Sequence, residues 1–232
     1  MEPGTHPHWP LWDLWVRTPR LELRPVREAE MADLVGVIDA GLHDPATMPF
    51  ALPFTDEEPV RRARDSYRFW FSTWANWSPE AWHLVLVAYE TAPDDGGPAR
   101  CVGCQSLRAD AFARLGVVGS GSFLGLEHQG RGLGREMRAA VLTLAFDGLG
   151  ARRAETEAYD DNVASIRVTE WAGYRPNGDG IVARRDASAR VAKFALDRAD
   201  WDARRAADPP VPVVTFDGLS PAALEMFGAT LP

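Results

Sequence analysis

The residues best placed to do chemistry lie in the run Leu124-Gly-Leu-Glu-His-Gln-Gly-Arg-Gly-Leu-Gly-Arg135. Gly130, Gly132 and Gly134 free the backbone to turn sharply and to aim its N–H groups inward as an anion nest. A helix beginning at Leu133 adds unpaired amides and the positive end of its dipole. A pyrophosphate fits such a nest, with Arg131 and Arg135 either adding charge or facing water. The Lys and hydroxyl of a Walker loop are missing, and the spacing is not that of a Rossmann first turn. A turn that merely starts a helix is the competing account.

A second group of candidates is scattered along the chain. Asn162 and Ser165 sit three apart in one helical turn, so they share a face. Asn162 reads equally as a plain N-cap. Asp179, Arg184, Arg185 and Asp186 fall near a closing hairpin, where an arginine suits a carboxylate-bearing acyl group or an acidic acceptor. His43 and Asp44 lie in a proline-rich loop, and His-Asp-Pro is either a turn held by the Asp side chain or a base on the acceptor side. Trp74 shares a helical stripe with Tyr67, Trp70, Phe71 and Trp77, which reads as core or as the wall of an acceptor pocket. Cys101 and Cys104 are three apart in a strand and so point to opposite faces, with no second ligand pair. They read as small buried hydrophobes, and no metal is expected.

The elements that must position these groups follow from periodicity. Residues 1–20, with four prolines and three tryptophans, read as an ordered aromatic arm without helix or strand. Leu21–Arg24 alternates like a strand, Glu28–Ala40 and Asp56–Trp77 have helical spacing, and Trp82–Tyr89 with Arg100–Leu107 forms a hairpin. Val117–Leu126 is a third strand and Leu133–Leu149 the clearest helix. A strand at Arg153–Ala158, a helix at Asn162–Ala172 and closing strands from Tyr174 complete the pattern. The reading is one α/β (α+β) domain over 21–205 around a mixed sheet, with an extended tail over 206–232 that covers a neighbour's surface.

Twenty-five Lys and Arg against 33 Asp and Glu leave a net charge of −8, which argues against a nucleic-acid partner. The longest apolar run, Ala139–Phe146, is too short to cross a membrane, and the first residues lack the features of a secretory signal. A cytoplasmic protein is expected, and the aromatic arm and proline-rich tail suggest a homodimer or larger homo-oligomer.

Gln129-x-x-Gly132-x-Gly134, between a strand and a helix, resembles the coenzyme A signature of the GCN5-related N-acyltransferases (GNAT). Asn162-Val-Ala-Ser-Ile-Arg-Val-Thr-Glu-Trp-Ala-Gly-Tyr174 resembles a helix of the branch that acetylates ribosomal protein N-termini. His43-Asp-Pro, Met48-Pro-Phe and the Trp-rich arm are similar to an actinobacterial group, some members of which bind succinyl-CoA. The resemblance implies a mostly antiparallel sheet with a V-shaped splay and direct transfer of an acetyl or succinyl group from acetyl-CoA or succinyl-CoA to a primary amine. The acceptor would be a protein N-terminus, a lysine or a small amine, with antibiotic modification or a non-catalytic acyl-CoA-binding module as alternatives.

It further implies that Ser122, Phe123 and Leu124 pair with the pantetheine arm. A bulge near Leu124 and Gly125 would splay this strand from the one holding Glu155 and Glu157. Gln129, Gly130, Arg131, Gly132, Leu133, Gly134 and Arg135 would hold the pyrophosphate, and Asn162 the pantetheine amide. Thr169 stands where many members have a Tyr donor, so Ser165 is the expected donor to the leaving thiolate. The branch often has a Glu base near the closing hairpin, but Arg184 or Arg185 aligns there, so Asp186 is the candidate base, with Asp179, His43 and Asp44 as alternatives; His43, Asp44, Trp74 and Arg184 are expected on the acceptor side.

Overall fold

The computed structural model describes residues 6–91, 93 and 95–229. The first five residues of the expected arm, the last three of the tail and positions 92 and 94 of the expected turn lie outside them. The described residues form β1 (Trp15–Arg17), β2 (Leu21–Pro25), α1 (Glu28–Ala40), α2 (Pro59–Ala75), β3 (Ala81–Glu90) and β4 (Arg100–Asp110). They continue with α3 (Phe112–Leu115), β5 (Val117–Leu124), α4 (Leu133–Thr143), β6 (Arg153–Tyr159) and α5 (Val163–Trp171). The chain closes with β7 (Arg175–Arg184), β8 (Ala187–Asp197), α6 (Arg198–Ala206), β9 (Thr215–Asp217) and α7 (Pro221–Met226). No helix among them is long and apolar enough to cross a membrane.

The strands make one mixed sheet in the order β7-β8-β6-β5-β4-β3-β2-β1-β9, and β5–β6 is the parallel pair in an otherwise antiparallel ladder. Alternation along the strands divides the core in two. Leu84, Leu86, Leu107, Val118 and Ala154 face α4, which inserts Leu133, Met137 and Val141. Val85, Val87 and Cys104 face the other way, against Met31, Leu34 and Ile38 of α1 and Trp70 of α2.

Two expectations about the chain ends are corrected. Trp15–Arg17, read as part of an arm without regular structure, is a strand that pairs with both β2 and β9. The tail, read as an extended appendage for a neighbour, folds back on its own chain. Thr215–Asp217 extends the sheet, Leu224 and Phe227 are buried, and the Trp77 and Trp82 indoles donate to the Met226 and Phe227 carbonyls at 2.8 and 3.0 Å. Proline density hid both elements because Pro excludes helix and strand interiors but not the short pieces between prolines. Trp9 packs edge-on against Trp74 and Trp77, with centroids 6.0 and 6.5 Å apart, so the arm does pack by its indoles.

His83, on the α2-facing side of β3, lies edge-on to Phe69. Burial, helped by the Arg108 charge, pushes its pKa from 6.5 down to about 4. Between those values the unfolded chain binds a proton that the folded chain refuses. Stability therefore falls as pH drops through that window, by about 2 kcal/mol between about pH 7 and pH 5. Urea titrations should show this slope flattened in His83→Gln, leaving the part due to His128, whose pKa burial also lowers. An unchanged slope would assign the effect to another group.

Candidate functional site

β5 and β6 bond only over Val117–Gly119 and Arg153–Glu155. Beyond that, β5 stays with β4 as far as Leu124, and β6 stays with β8 as far as Tyr159. The two strands separate into a wedge whose last link is the Thr156 hydroxyl donating to the Ser120 carbonyl at 3.2 Å. Backbone groups of β5 that face the wedge have no strand partner, so an extended ligand can pair there as a strand would.

The bulge expected near Leu124 and Gly125 lies instead one strand over. Between β3 and β4 the register shifts at Ala88 and Tyr89, leaving Val102 as the extra residue, and Val102 accepts from the Gly125 amide at 2.9 Å. Its neighbour Gly103 explains the location. A Cβ there would lie 2.2 Å from the Phe123 carbonyl oxygen, so only glycine lets β4 approach β5 this closely.

From the wide end of the wedge the chain enters the glycine loop. Gly130 and Gly132 have φ of +75° and +83°, and Gly132 caps α4 with no side-chain partner. Among the described residues the amides of Gly130, Gly132, Leu133 and Gly134 donate to no backbone carbonyl, which leaves them directed at the space before the helix. The loop is held from behind. Gln129 donates through Nε2 to Leu42 and Leu124 carbonyls at 2.8 and 3.1 Å. Arg20 donates to the Arg131 carbonyl at 3.1 Å and pairs with Glu136 at 2.5 Å. Arg131 makes two bonds, 3.1 and 2.6 Å, to the buried Glu90, which also takes Arg100 at 3.1 Å. Arg131 therefore anchors the loop to β3, while the exposed Arg135 lies over the Trp171 ring at 5.7 Å.

α5 supplies the other wall. Asn162 accepts from the Ser165 amide at 3.2 Å as a true N-cap, which still leaves its Nδ2 free to donate elsewhere. A Cβ on Gly134 would sit 3.5 Å from Leu124 and 3.7 Å from Val168, so β5, α4 and α5 converge there. Ser165, one turn before Val168, shares that face. Thr169 is fully buried with its hydroxyl donating to the Ser165 carbonyl at 2.9 Å, so it is not a donor to the wedge. Ser122 is exposed, Phe123 and Leu124 are half-buried, and Leu133 is core.

The acceptor-side candidates are brought together less completely. His43 binds the Thr55 hydroxyl and the Asp44 carbonyl, each at 2.8 Å, and Asp44 accepts from the Ala46 amide at 2.9 Å, so His-Asp-Pro is a turn. Trp74 lies in the aromatic stack and donates to the Val26 carbonyl at 3.1 Å. Arg184 pairs with Asp161 at 2.7 Å and stacks over Tyr159 at 4.3 Å. Arg185 makes two 2.7 Å bonds to Asp56 and a third to the Pro45 carbonyl at 3.1 Å, docking the β7–β8 turn on the loop after α1. That guanidinium holds the Asp56 carboxyl below the usual range. Asp186 is exposed at the turn, beside a shallow hollow of about 480 Å³, and Asp179 pairs with Arg190 at 3.3 Å.

Three further residues had no role assigned to them from the sequence, although Glu157 was placed on the splayed strand. Glu157 is exposed on the splayed part of β6, and Tyr159 on the same face has a buried hydroxyl with no partner. Arg138 is buried beneath the apex of the wedge and donates to the Ser120 hydroxyl at 3.0 Å. Only Arg138 left a signal, as a charge on the helix face shared with Val141, Leu142 and Ala145.

Residues 20–175 match the family model described as an acetyltransferase (GNAT) domain. Among solved structures, a GCN5-related N-acetyltransferase from Brucella melitensis is 20% identical, covering 89% of this chain and 85% of its own, with TM-score 0.63. RimJ of Mycobacterium smegmatis, solved with CoA-disulfide, is 19% identical over 86% of this chain and 96% of its own, with TM-score 0.64. A spermidine N-acetyltransferase SpeG chimera from Vibrio cholerae and hSSAT is 13% identical over 78% and 98%, with TM-score 0.60. At these identities the structures establish a shared fold.

If the loop amides bind a pyrophosphate, Gly132→Ala should cost about 1 kcal/mol of stability, because φ of +83° opposes a Cβ, and should weaken coenzyme A at least about tenfold. Gly134→Val, which fills the space between Leu124 and Val168, should weaken it further without that backbone strain. Calorimetry with coenzyme A checks both, and full affinity in folded variants would remove the loop from the site.

Proposed function

The chain belongs to the GNAT acetyltransferase family, and on that footing we propose that it moves an acetyl group from acetyl-coenzyme A directly to a primary amine. The observation that carries this reading is the union of wedge and loop. Free amides at the start of α4 suit the pyrophosphate, and the edge of β5 from Leu124 to Ser120, which no strand pairs, leads inward from them for the pantetheine arm. Asn162 Nδ2 is the donor available to an amide of that arm.

The neutral amine attacks the thioester carbon, a carboxylate takes its proton, and the electron pair of the breaking C–S bond leaves on sulfur. Glu157 is our base. It is an exposed carboxylate on the splayed strand, whereas Asp186 sits at the tip of the hairpin turn. Ser165 remains the hydrogen-bond donor to the leaving thiolate. Arg184 and Arg185 both have carboxylate partners already, which favours acetyl over succinyl as the group transferred. The acceptor is the amine of a protein N-terminus, a lysine or a small amine.

Thiol release from acetyl-CoA, and from succinyl-CoA in parallel, across a panel of peptides, polyamines and aminoglycosides tests the reading. Tight acyl-CoA binding with no acceptor-dependent thiol would make the chain a binding module. Ser165→Ala should lower kcat by roughly ten- to several hundredfold with acyl-CoA affinity nearly intact, as loss of a transition-state contact does. Glu157→Gln should lower kcat/KM by about a hundredfold near neutral pH and recover as pH rises towards the pKa of the amine. A flat loss at every pH would remove Glu157 from the base role.

A further inference from the structure

We propose that the buried guanidinium of Arg138 is the positive charge that stabilises the departing coenzyme A thiolate, acting through the Ser120 hydroxyl at the apex of the wedge. The inference rests on the reading that the thioester occupies that wedge.

Arg138 is 3% exposed, and its surroundings do not neutralise it. Nη1 donates to Ser120 Oγ at 3.0 Å, the Tyr174 ring lies 5.6 Å from the guanidinium, and Nε has no partner. Among the described residues no carboxylate lies within ion-pair distance. By contrast, Arg20, Arg62 and Arg131 each meet an acidic partner. A buried charge without a counter-charge destabilises a fold, and an apolar residue of similar volume in its place is often neutral or stabilising. The surrounding polar atoms are also incomplete, since Gln105 Oε1 and the Tyr174 hydroxyl are buried without partners. The arrangement suits an anion that exists only when the site is at work.

The other ionisable groups nearby leave that role open. β5 carries none, and alternation puts Arg108 of β4, Glu155 and Glu157 of β6 and Lys193 of β8 on the opposite face of the sheet. On α4, Glu136 is taken by Arg20 and Arg135 lies over Trp171. Arg167 and Glu170 of α5 are exposed, and from α6 Arg204 donates to the Trp171 carbonyl. Asp200 pairs with Arg175 of β7. Ser120 is the first residue of β5 past its pairing with β6. An arm entering beside Leu124 and running to Ser120 covers four residues, about 13 Å of strand, and brings its sulfur end to the apex.

Negative charge forms at that end twice. The amine adds to the carbonyl and places an electron pair on oxygen. Collapse then breaks C–S and places the pair on sulfur, while the amine proton leaves through the base. Because Arg138 donates to Ser120 Oγ, the Ser120 hydroxyl hydrogen is free to point at the sulfur as a second donor besides Ser165, and the cation behind it polarises that bond. Arg138 is thus a positioning residue.

The test compares wild type, Arg138→Met and Arg138→Lys, each bound to coenzyme A, by titrating the bound thiol through thiolate absorbance. Burial pushes the Cys101 thiol up to about 12 and Cys104 higher still, so neither interferes. The bound thiol should be about tenfold or more acidic than free coenzyme A in wild type, should lose that acidity in Arg138→Met and should keep part of it in Arg138→Lys. Arg138→Met should melt no lower than wild type yet turn over about ten- to a hundredfold more slowly, with kcat rather than KM affected. Equal thiol acidity in wild type and Arg138→Met, or a lower melting temperature that Lys does not rescue, would overturn the proposal and leave Arg138 a packing residue. Failure of wild type to bind coenzyme A at all would instead overturn the coenzyme reading, and this inference with it.

Discussion

The shortness of the parallel contact between β5 and β6, held to Val117–Gly119 and Arg153–Glu155, governs how every other element serves the site. Full pairing would satisfy more backbone groups, so separation of the strands has to be enforced by stronger commitments elsewhere. β5 is bound to β4 along Gly119–Leu124, where Gly103 admits a close approach of the two strands. β6 is bound to β8 along its full length. The wedge is what remains between two well-paired strands, and it offers unpaired backbone without exposing the edge of the whole sheet.

The loop at the mouth of the wedge faces a related constraint. Backbone amides bind an anion well only if they are already oriented, and a run with Gly130, Gly132 and Gly134 has little intrinsic rigidity. Order is imposed by side chains from distant segments. Glu90, fully buried at the end of β3, binds Arg131 and Arg100, and Glu136 binds Arg20 and accepts from the Thr18 hydroxyl at 2.7 Å. The carboxylates of these pairs are buried while the arginines stay partly exposed, so losing an arginine strands a buried charge. They therefore fix geometry more surely than surface ion pairs would. Glu136 near the start of α4 would oppose an incoming pyrophosphate, and Arg20 offsets that charge.

Across the sheet, the β7–β8 turn is held by a contact of the opposite kind. In the Arg185–Asp56 pair both partners are partly exposed, with side chains 32% and 42% exposed, and 129 residues separate them. Such a pair adds little to stability but sets where the β7–β8 turn rests on the loop holding His43. The glycine loop is thus anchored through buried carboxylates and the β7–β8 turn through a more exposed bridge.

Local chemistry was enough for the sequence to determine the order of strands β2 to β8 with helices α1, α2, α4 and α5 among them, the strand–glycine-loop–helix unit and the Asn162 cap, because hydrophobic period, glycine conformation and capping act within a few residues, whereas the short α3 and α6 escaped it. The same locality explains what escaped it. β1, β9 and α7 are short pieces that hold only because each other and the indoles of Trp77 and Trp82 cover them. Arg131, Arg184 and Arg185 could be read as charges awaiting a ligand until folding delivered Glu90, Asp161 and Asp56 to them. The bulge moved from β5 to β4 because a close approach between strands depends on which of two neighbours lacks a side chain. Arg138 needed the sheet laid over α4 before its burial without a counter-charge became visible, since a charge on an apolar helix face has no meaning until the partner face is known.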